Sequence, residues 1–436
     1  MAVSSVSHLL VYLPPALLIW GLYIGKRVRK EKKSLTFREQ ERAAGLTEPA
    51  SLHPVIDPVA CIGCAACLEA CPEKNVLGLI KGKAELIGPT HCIGHGACKA
   101  ACPLDAITLV FGTEKRGVDI PQINPNFETN VPGIFIAGEL GGMGLIRNAI
   151  TQGCQAMDAI RKMDGIGRGD LLDVVIVGAG PAGFSASLSA MQHKLRFVTV
   201  EQETLGGTVS HYPRGKIVMT APVVLPLIGK TKFKETTKEA LLAFWQGIEQ
   251  KTGVRINYQE RVESIDRKED CIEVKTQRGT HRTHAVLLAI GRRGTPRKLG
   301  VPGEDHSKVV YRLVDPEQYR GQHVLVVGGG DSALEAAVSI ADQPGAVVTL
   351  SYRNDAFSRA KQKNRDKVDR AREAGRMQVL MKSNVKSITE QEVEIEHEGS
   401  RIQLRNDAII VCAGGILPTP FLKKIGIQVE TKYGAP

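Results

Sequence analysis

Aromatic residues make up only 5% of this 436-residue chain, with two tryptophans among them. The stacked aromatic platforms that hold single-stranded nucleic acid are therefore short of material. Cysteine is scarce over most of the length. After Cys102 only Cys154, Cys271 and Cys412 remain, each alone and far from the others, so no Cys-x-x-Cys redox pair exists outside the crowded stretch between Cys61 and Cys102. The three single thiols read as small buried hydrophobes. With 43% hydrophobic and 24% charged residues, the composition is that of an ordinary globular protein, which excludes general disorder and a polytopic membrane protein. The length asks for two or three domains.

What is present begins with the stretch VSHLLVYLPPALLIWGLYIG at 6–25, which carries no formal charge apart from a protonatable His8. At 1.5 Å per helical residue it just crosses a hydrocarbon core of about 30 Å. Trp20 and Tyr23 suit an interfacial belt, and a kinked span tolerates Pro14 and Pro15. The following KRVRKEKK holds six Lys/Arg against one Glu, which by the positive-inside rule puts the remainder in the cytoplasm. The expectation is a transmembrane helix at 6–25, with a buried or re-entrant helix of a soluble protein as the alternative, a basic linker at 26–54, and a single-pass inner-membrane protein with its catalytic domains in the cytoplasm. This run accounts for five of the eleven net positive charges. The argument for a nucleic-acid partner thereby loses most of its support, and a membrane partner is expected instead.

Residues 61–72 read CIGCAACLEACP and residues 92–103 read CIGHGACKAACP. Thiolates two and three residues apart on a tight turn reach different irons of one cubane, and the small residues between them let the backbone approach the sulfides. A zinc site takes four ligands from paired Cys-x-x-Cys knuckles, unlike this three-plus-one pattern closed by proline. The two runs resemble a bacterial dicluster ferredoxin over residues 55–112. The resemblance implies that Cys61, Cys64, Cys67 and Cys102 hold one [4Fe-4S] cluster, while Cys71, Cys92 and Cys98 hold a second. His95 stands where the second run would have a cysteine, and three roles stay open for it. It is a fourth ligand, a bystander beside a [3Fe-4S] cluster, or a surface residue beside a cluster ligated by something else.

The run VVIVGAGPAG at 174–183 places Gly178, Gly180, Pro181, Ala182 and Gly183 between an apolar strand pattern and a helix-compatible stretch. This is a dinucleotide fingerprint in its required context: a tight turn, an open backbone for a pyrophosphate, and close helix–strand packing. A second strand ends in Glu201, where a carboxylate binds an adenosine ribose. The second instance, VLVVGGGDSALEAA at 324–337, sets Gly328, Gly330, Asp331, Ser332 and Ala333 at the turn. Its following strand ends without an acid and leads to Arg353 and Arg359, guanidinium groups suited to a 2′-phosphate. NADP is therefore expected, with NAD the other nucleotide in play. The bland reading of those arginines is a solvated basic helix, since Lys363, Arg365, Lys367, Arg370 and Arg372 continue the series.

Two such folds in one chain resemble the thioredoxin-reductase-like flavoproteins, in particular the ferredoxin:NADP reductases of that type. LGGT at 205–208 (with Gly206, Gly207 and Thr208) resembles the flavin-side loop. VLLAIGRRGTPRKLGVPG at 286–303, with Gly291, resembles the crossover between domains, and 407–427 resembles the return. The family's closing flavin segment stands upstream instead, as TNVPGIFIAGELGGMGLIRNAITQGCQAMDAIR at 129–161, so the resemblance implies a circular permutation. Gly138, Glu139 and Asn148 then fall on the flavin side, Glu139 replacing the family's aspartate. A helix beginning near 145–148 would aim its amides at the flavin's pyrimidine end. The stretch HYPRGKIVMTAP at 211–222 resembles cysteine-free bacillithiol-disulfide reductases, with Tyr212 a candidate for stacking on the flavin or an ordinary core tyrosine.

The expected fold class is α/β. Two Rossmann-like dinucleotide-binding domains are preceded by a small α+β dicluster ferredoxin domain and an N-terminal transmembrane helix. The expected boundaries are 55–112 for the ferredoxin, 113–165 for the permuted FAD-binding segment, 170–296 for the FAD-binding domain, 297–413 for the NADP-binding domain and 414–436 for the return. The expected cofactors are FAD, NADP and two iron–sulfur clusters, one of them [4Fe-4S] and the second [4Fe-4S] or [3Fe-4S]. A homodimer is expected. The expected activity is NAD(P)H-dependent electron transfer through FAD and the clusters, in either direction, to or from a partner protein or a quinone. The alternatives are a flavin-based reductase of a small disulfide and a redox-sensing subunit without turnover. No side chain is nominated as catalytic, since the cofactors carry the chemistry.

Overall fold

The computed structural model describes residues 3–49, 52–73, 75–114, 116–142, 144–219, 222–231, 235–292 and 294–434, and no side chains for 3–13, 219 and 295. Thr220 and Ala221 of the HYPRGKIVMTAP stretch, Met143 of the upstream segment and Arg293 of the crossover lie outside the described residues. The chain forms two compact units. The first comprises 1–115, 356–362 and 434–436, and the second comprises 116–355 and 363–433.

The first unit opens with one helix, α1 (Val3–Ala43), which runs through both the apolar stretch and the basic one. Among the described residues no helix is long and apolar enough to cross a membrane. This overturns the expected anchor at 6–25 and the inner-membrane, single-pass placement that depended on it. The same helix continues directly from the apolar stretch into charge. Residues 26–43, expected as linker, belong to this helix and make specific contacts. Arg38 pairs with Glu85, the Lys81 amide donates to Glu31 at 2.6 Å, and Phe37 meets the His91 ring edge-on at 5.5 Å. Gly78 lies beneath the helix, where a Cβ would come within 2.7 Å of Ser34 Oγ.

The ferredoxin part is built from β1 (His53–Ile56), helix α2 (Ala66–Ala70), β2 (Leu77–Ile80), β3 (Lys83–Leu86), helix α3 (Ala97–Ala100) and β4 (Ile107–Val110). β1 pairs antiparallel with β4, and β2 with β3. Cys67, Cys98, Val76, Leu77, Ala84 and Ile107 form its buried core. The thiols are thus part of the packing of this small unit.

The second unit begins with β5 (Val118–Pro121), β6 (Ile134–Ile136) and helix α4 (Ile146–Ile160), followed by β7 (Leu172–Val177), helix α5 (Pro181–Gln192) and β8 (Phe197–Glu201). Alternation along β7 sends Val174 and Ile176 into one apolar layer and Val175 and Val177 into the other. A strand buried on both faces is the mark of a parallel sheet with structure packed on each side. β8 and β7 are followed in the sheet by the strand Gly279–Leu288, whose second half also pairs in parallel with β6. The upstream segment thereby enters the same sheet as the first fingerprint strand. Farther along, helix α6 (Lys238–Thr252) packs Leu241, Trp245 and Ile248 into one apolar cluster with Phe184 and Leu188 of α5.

The second fingerprint lies in a separate five-stranded parallel sheet, ordered Val309–Val310, Ala408–Val411, His323–Val327, Val347–Ser351, Met377–Leu380. Helix α7 (Asp331–Ala341) follows its turn. Leu422 and Ile427 return to the core layer that contains Ile134 and Ile136, and the strand Val429–Lys432 pairs antiparallel with β5.

Candidate functional site

The first fingerprint turn is shaped by close approaches that only glycine allows. Gly178 has φ +103, and a Cβ there would meet the Ala289 carbonyl oxygen at 2.6 Å. At Gly183 a Cβ would sit 1.8 Å from the Gly178 carbonyl oxygen. Gly180 differs, since the nearest atom to its hypothetical Cβ is 3.8 Å away. Its backbone therefore faces open space at the head of α5, where unpaired amides and the helix dipole favour an anion. The residues present fit a bound dinucleotide pyrophosphate.

That space is part of a cleft of about 1270 Å³, larger than the few hundred to about 1,000 Å³ of ordinary small-molecule pockets. Gly178, Gly180, Pro181, Ala182, Glu201, Gly207, Thr208 and Gly291 line it together with Gly138 and Glu139 of the upstream segment. Residues more than a hundred positions apart in sequence thus share one wall. Glu201 accepts the amides of Ala179 at 2.7 Å and Glu203 at 2.8 Å. Burial raises its pKa against the opposing pull of those amides. Leu145, Ile146 and Ala149, at the start of α4, also line the cleft, and that helix begins without a side-chain cap. Gly183, Gly206 and Asn148 are not among the lining residues. Gly206 instead lies against α6, where a Cβ would come 2.5 Å from Leu242.

Tyr212 lines the cleft, with the Lys216 ammonium 4.9 Å from its ring centroid. The cleft also reaches residues that sequence reasoning missed: Glu203, His211, Arg312 and Glu260. His211 bonds Glu203 at 2.9 Å. Glu260 is buried, and its carboxylate accepts from Thr276 at 2.7 Å, Asn257 at 2.9 Å and His281 at 2.9 Å. Burial pushes its pKa upward, but the hydrogen bonds from His281, Thr276 and Asn257 outweigh it and hold the carboxyl below its ordinary value. No local motif announces these partners.

The second fingerprint repeats the first. Gly328 has φ +146, and a Cβ there would meet the Cys412 carbonyl oxygen at 2.5 Å and Ala333 Cβ at 3.0 Å. Gly330 faces open space at the head of α7, beside the half-buried Asp331 and the exposed Ser332. Asp331 accepts from Asn364 at 2.7 Å. Arg353 is exposed two residues beyond the strand Val347–Ser351. Arg359, also exposed, falls in the 356–362 segment of the other unit.

In the first unit the cysteines divide into two sets. Cys61, Cys64, Cys67 and Cys102 line one cavity, and Cys71, Cys92, His95 and Cys98 line another. These are the two sets that the ferredoxin resemblance implies. Among the described residues no group of three His, Cys, Asp or Glu is gathered as a single-ion site; the sets ring cavities instead. Backbone amides of Ala84 and Ala106 point at Cys61 and Cys102 sulfurs at 3.5 and 3.3 Å. Gly63 has φ +69, and a Cβ there would lie 1.9 Å from the Gly82 carbonyl oxygen, so this turn admits no larger residue. Burial pushes the Cys67 and Cys92 thiols up to about 11. Such thiols become ligands by releasing protons as metal binds. Burial lowers the His95 pKa. This donor set fits iron–sulfur clusters.

A family model described as pyridine nucleotide-disulphide oxidoreductase matches residues 175–436, and one described as a 4Fe-4S dicluster domain matches residues 53–103. A ferredoxin–NADP reductase of Ignicoccus hospitalis is 30% identical over 268 residues, covering 60% of this chain and 83% of the relative. Bacilliredoxin reductase Bdr of Bacillus subtilis is 26% identical over 269 residues, covering 60% of this chain and 82% of the relative. Among solved structures, bacillithiol disulfide reductase Bdr (YpdA) from Staphylococcus aureus has the same fold, with a TM-score of 0.53 at 22% identity over 60% of this chain and 82% of that one.

Proposed function

Because the chain belongs to the pyridine nucleotide-disulphide oxidoreductase family and carries a 4Fe-4S dicluster domain ahead of it, we propose that it passes electrons between NADPH and a one-electron redox partner through flavin and two iron–sulfur clusters. At the coarser level it is a FAD-dependent NAD(P)H oxidoreductase of the ferredoxin–NADP reductase and thioredoxin reductase type with an iron–sulfur domain. When bound, FAD supplies the exchange between two-electron hydride chemistry and one-electron steps, and the clusters supply one-electron carriers. In this reading Gly180 leaves room for the pyrophosphate, Glu201 accepts the ribose hydroxyls, and the amides at the start of α4 face the flavin's pyrimidine end. Gly138, Glu139, Gly207, Thr208 and Gly291 complete the wall. Arg353 favours the nucleotide carrying a 2′-phosphate.

The observation that carries this reading is the division of the ferredoxin ligands into two cavities in a chain that also holds the fingerprint-lined cleft. The match to bacilliredoxin reductase Bdr favours a second reading, reduction of a small disulfide at the flavin. Anaerobic stopped-flow mixing with NADPH separates them. The proposal expects flavin absorbance to bleach first and cluster absorbance next. Flavin bleaching with clusters that stay oxidised, alongside turnover of a low-molecular-weight disulfide, would establish the second reading instead.

A further inference from the structure

The two ligand turns of the first unit share one backbone pattern but differ in their donors. Gly63 and Gly94 have φ 69 and 75, and Ala65 and Gly96 have φ 66 and 77, immediately before α2 and α3. His95 therefore occupies the place that Cys64 holds in the other turn. The Cys64 thiol is exposed, whereas the His95 ring is half-buried and engaged at both nitrogens. The Ala97 backbone amide donates to Nδ1 at 3.2 Å, and Nε2 lies 3.9 Å from Cys71 Sγ.

A backbone amide can only donate, so Nδ1 is the acceptor. In a neutral imidazole the other nitrogen then carries the hydrogen, and here that nitrogen faces a sulfur. A ring arranged in this way has no lone pair left for iron: one is taken by the Ala97 amide, and the other nitrogen is a donor. Metal-binding histidines show the reverse arrangement, with the remote nitrogen donating its hydrogen to a carbonyl or carboxylate.

Resting on the iron–sulfur reading above, we infer that His95 is a positioning residue and not an iron ligand. It donates Nε2–H to the Cys71 sulfur, and the second centre is a three-iron cluster held by Cys71, Cys92 and Cys98. The first centre keeps the four thiolates of Cys61, Cys64, Cys67 and Cys102. Hydrogen bonds to cluster sulfurs and net charge set reduction potentials, so His95 raises the potential of the second centre by stabilising its more negative, reduced form.

The test uses the full-length protein prepared without oxygen, with iron analysis and electron paramagnetic resonance. Expected are about seven irons per chain, four and three by ligand count, and in the oxidised state the odd-electron signal of a three-iron cluster, which an oxidised four-iron cluster lacks. Labelling the histidines with nitrogen-15 should show at most weak hyperfine coupling. His95→Ala should keep the iron count and the signal and shift the midpoint potential downward. His95→Cys should add one iron per chain and remove the oxidised signal. A strong coupling from a directly bound nitrogen in the unmodified protein, or about eight irons with no oxidised signal, overturns the inference and leaves the iron–sulfur reading standing. A chain that holds no iron overturns the reading itself.

Discussion

At the scale of single residues, the glycines of the first fingerprint separate two kinds of failure. Gly183→Ala forces a methyl onto the Gly178 carbonyl at 1.8 Å, and backbone cannot yield that much. This variant should lower the thermal midpoint of the apoprotein as well as lose flavin. Gly180→Ala meets nothing closer than 3.8 Å, so the apoprotein should keep its midpoint and lose only the flavin. Differential scanning of apoprotein and the flavin-to-protein absorbance ratio after gel filtration check both. Arg353 is exposed, which makes its substitution safe for folding. Arg353→Ala should cut kcat/KM for NADPH about tenfold, the size of one hydrogen bond to a charged group, and leave NADH nearly unchanged; equal losses would sink the 2′-phosphate assignment. Glu260 gives a pH effect with a definite sign. Its folded pKa is depressed, so its stabilising contribution is complete above the unfolded value of about 4.3 and is lost as pH falls through the lower folded value. Urea midpoints should therefore decline with acid more steeply for the unmodified protein than for Glu260→Gln over that window.

At the scale of elements, the contact between α4 and α5 decides whether the upstream segment stays in place. Gly153 lies so close to α5 that a Cβ would come 2.2 Å from the Ala182 carbonyl oxygen and 2.4 Å from Ser185 Oγ. Gly153→Val should push α4 outward, withdraw Leu145 and Ile146 from the cleft and release flavin. A gel-filtration profile in which Gly153→Val retains flavin as well as the unmodified protein does would count against this. Elements with local signals were legible in the sequence. The fingerprint turns and ligand runs were read correctly as turns because glycine spacing and thiol spacing act over fewer than a dozen residues. Glu260 and its partner His281 were not, because their pairing depends on strands brought together by the sheet. The N-terminal stretch was misread for a related reason. Absence of charge over one window suggested a span, while the helix that forms runs on to Ala43 and uses Arg38 and Glu31 against the β2–β3 hairpin.

At the scale of the whole molecule, the two units keep separate ligand sets, and the consequences of damage should be separate as well. Cys67→Ser removes a buried ligand of the first set without touching any residue that lines the cleft. Such a protein should still bleach its flavin with NADPH and reduce ferricyanide, and should lose bleaching of the first cluster. Loss of flavin reduction in the same variant would show that the units depend on one another for folding.

The pairing of β5 with the strand Val429–Lys432 also sets an order of events during synthesis. β5 and β6 emerge from the ribosome early, yet β6 must wait for the strand ending at Leu288 and β5 for residues near 430. Contacts so distant in sequence close slowly, since loop entropy opposes them before they are rewarded. The ferredoxin ligands, all within residues 61–102, have no such wait. Iron loading can therefore finish while the flavin cleft is still missing a wall, and a nascent chain stalled before residue 280 would carry clusters without the means to reduce them from NADPH.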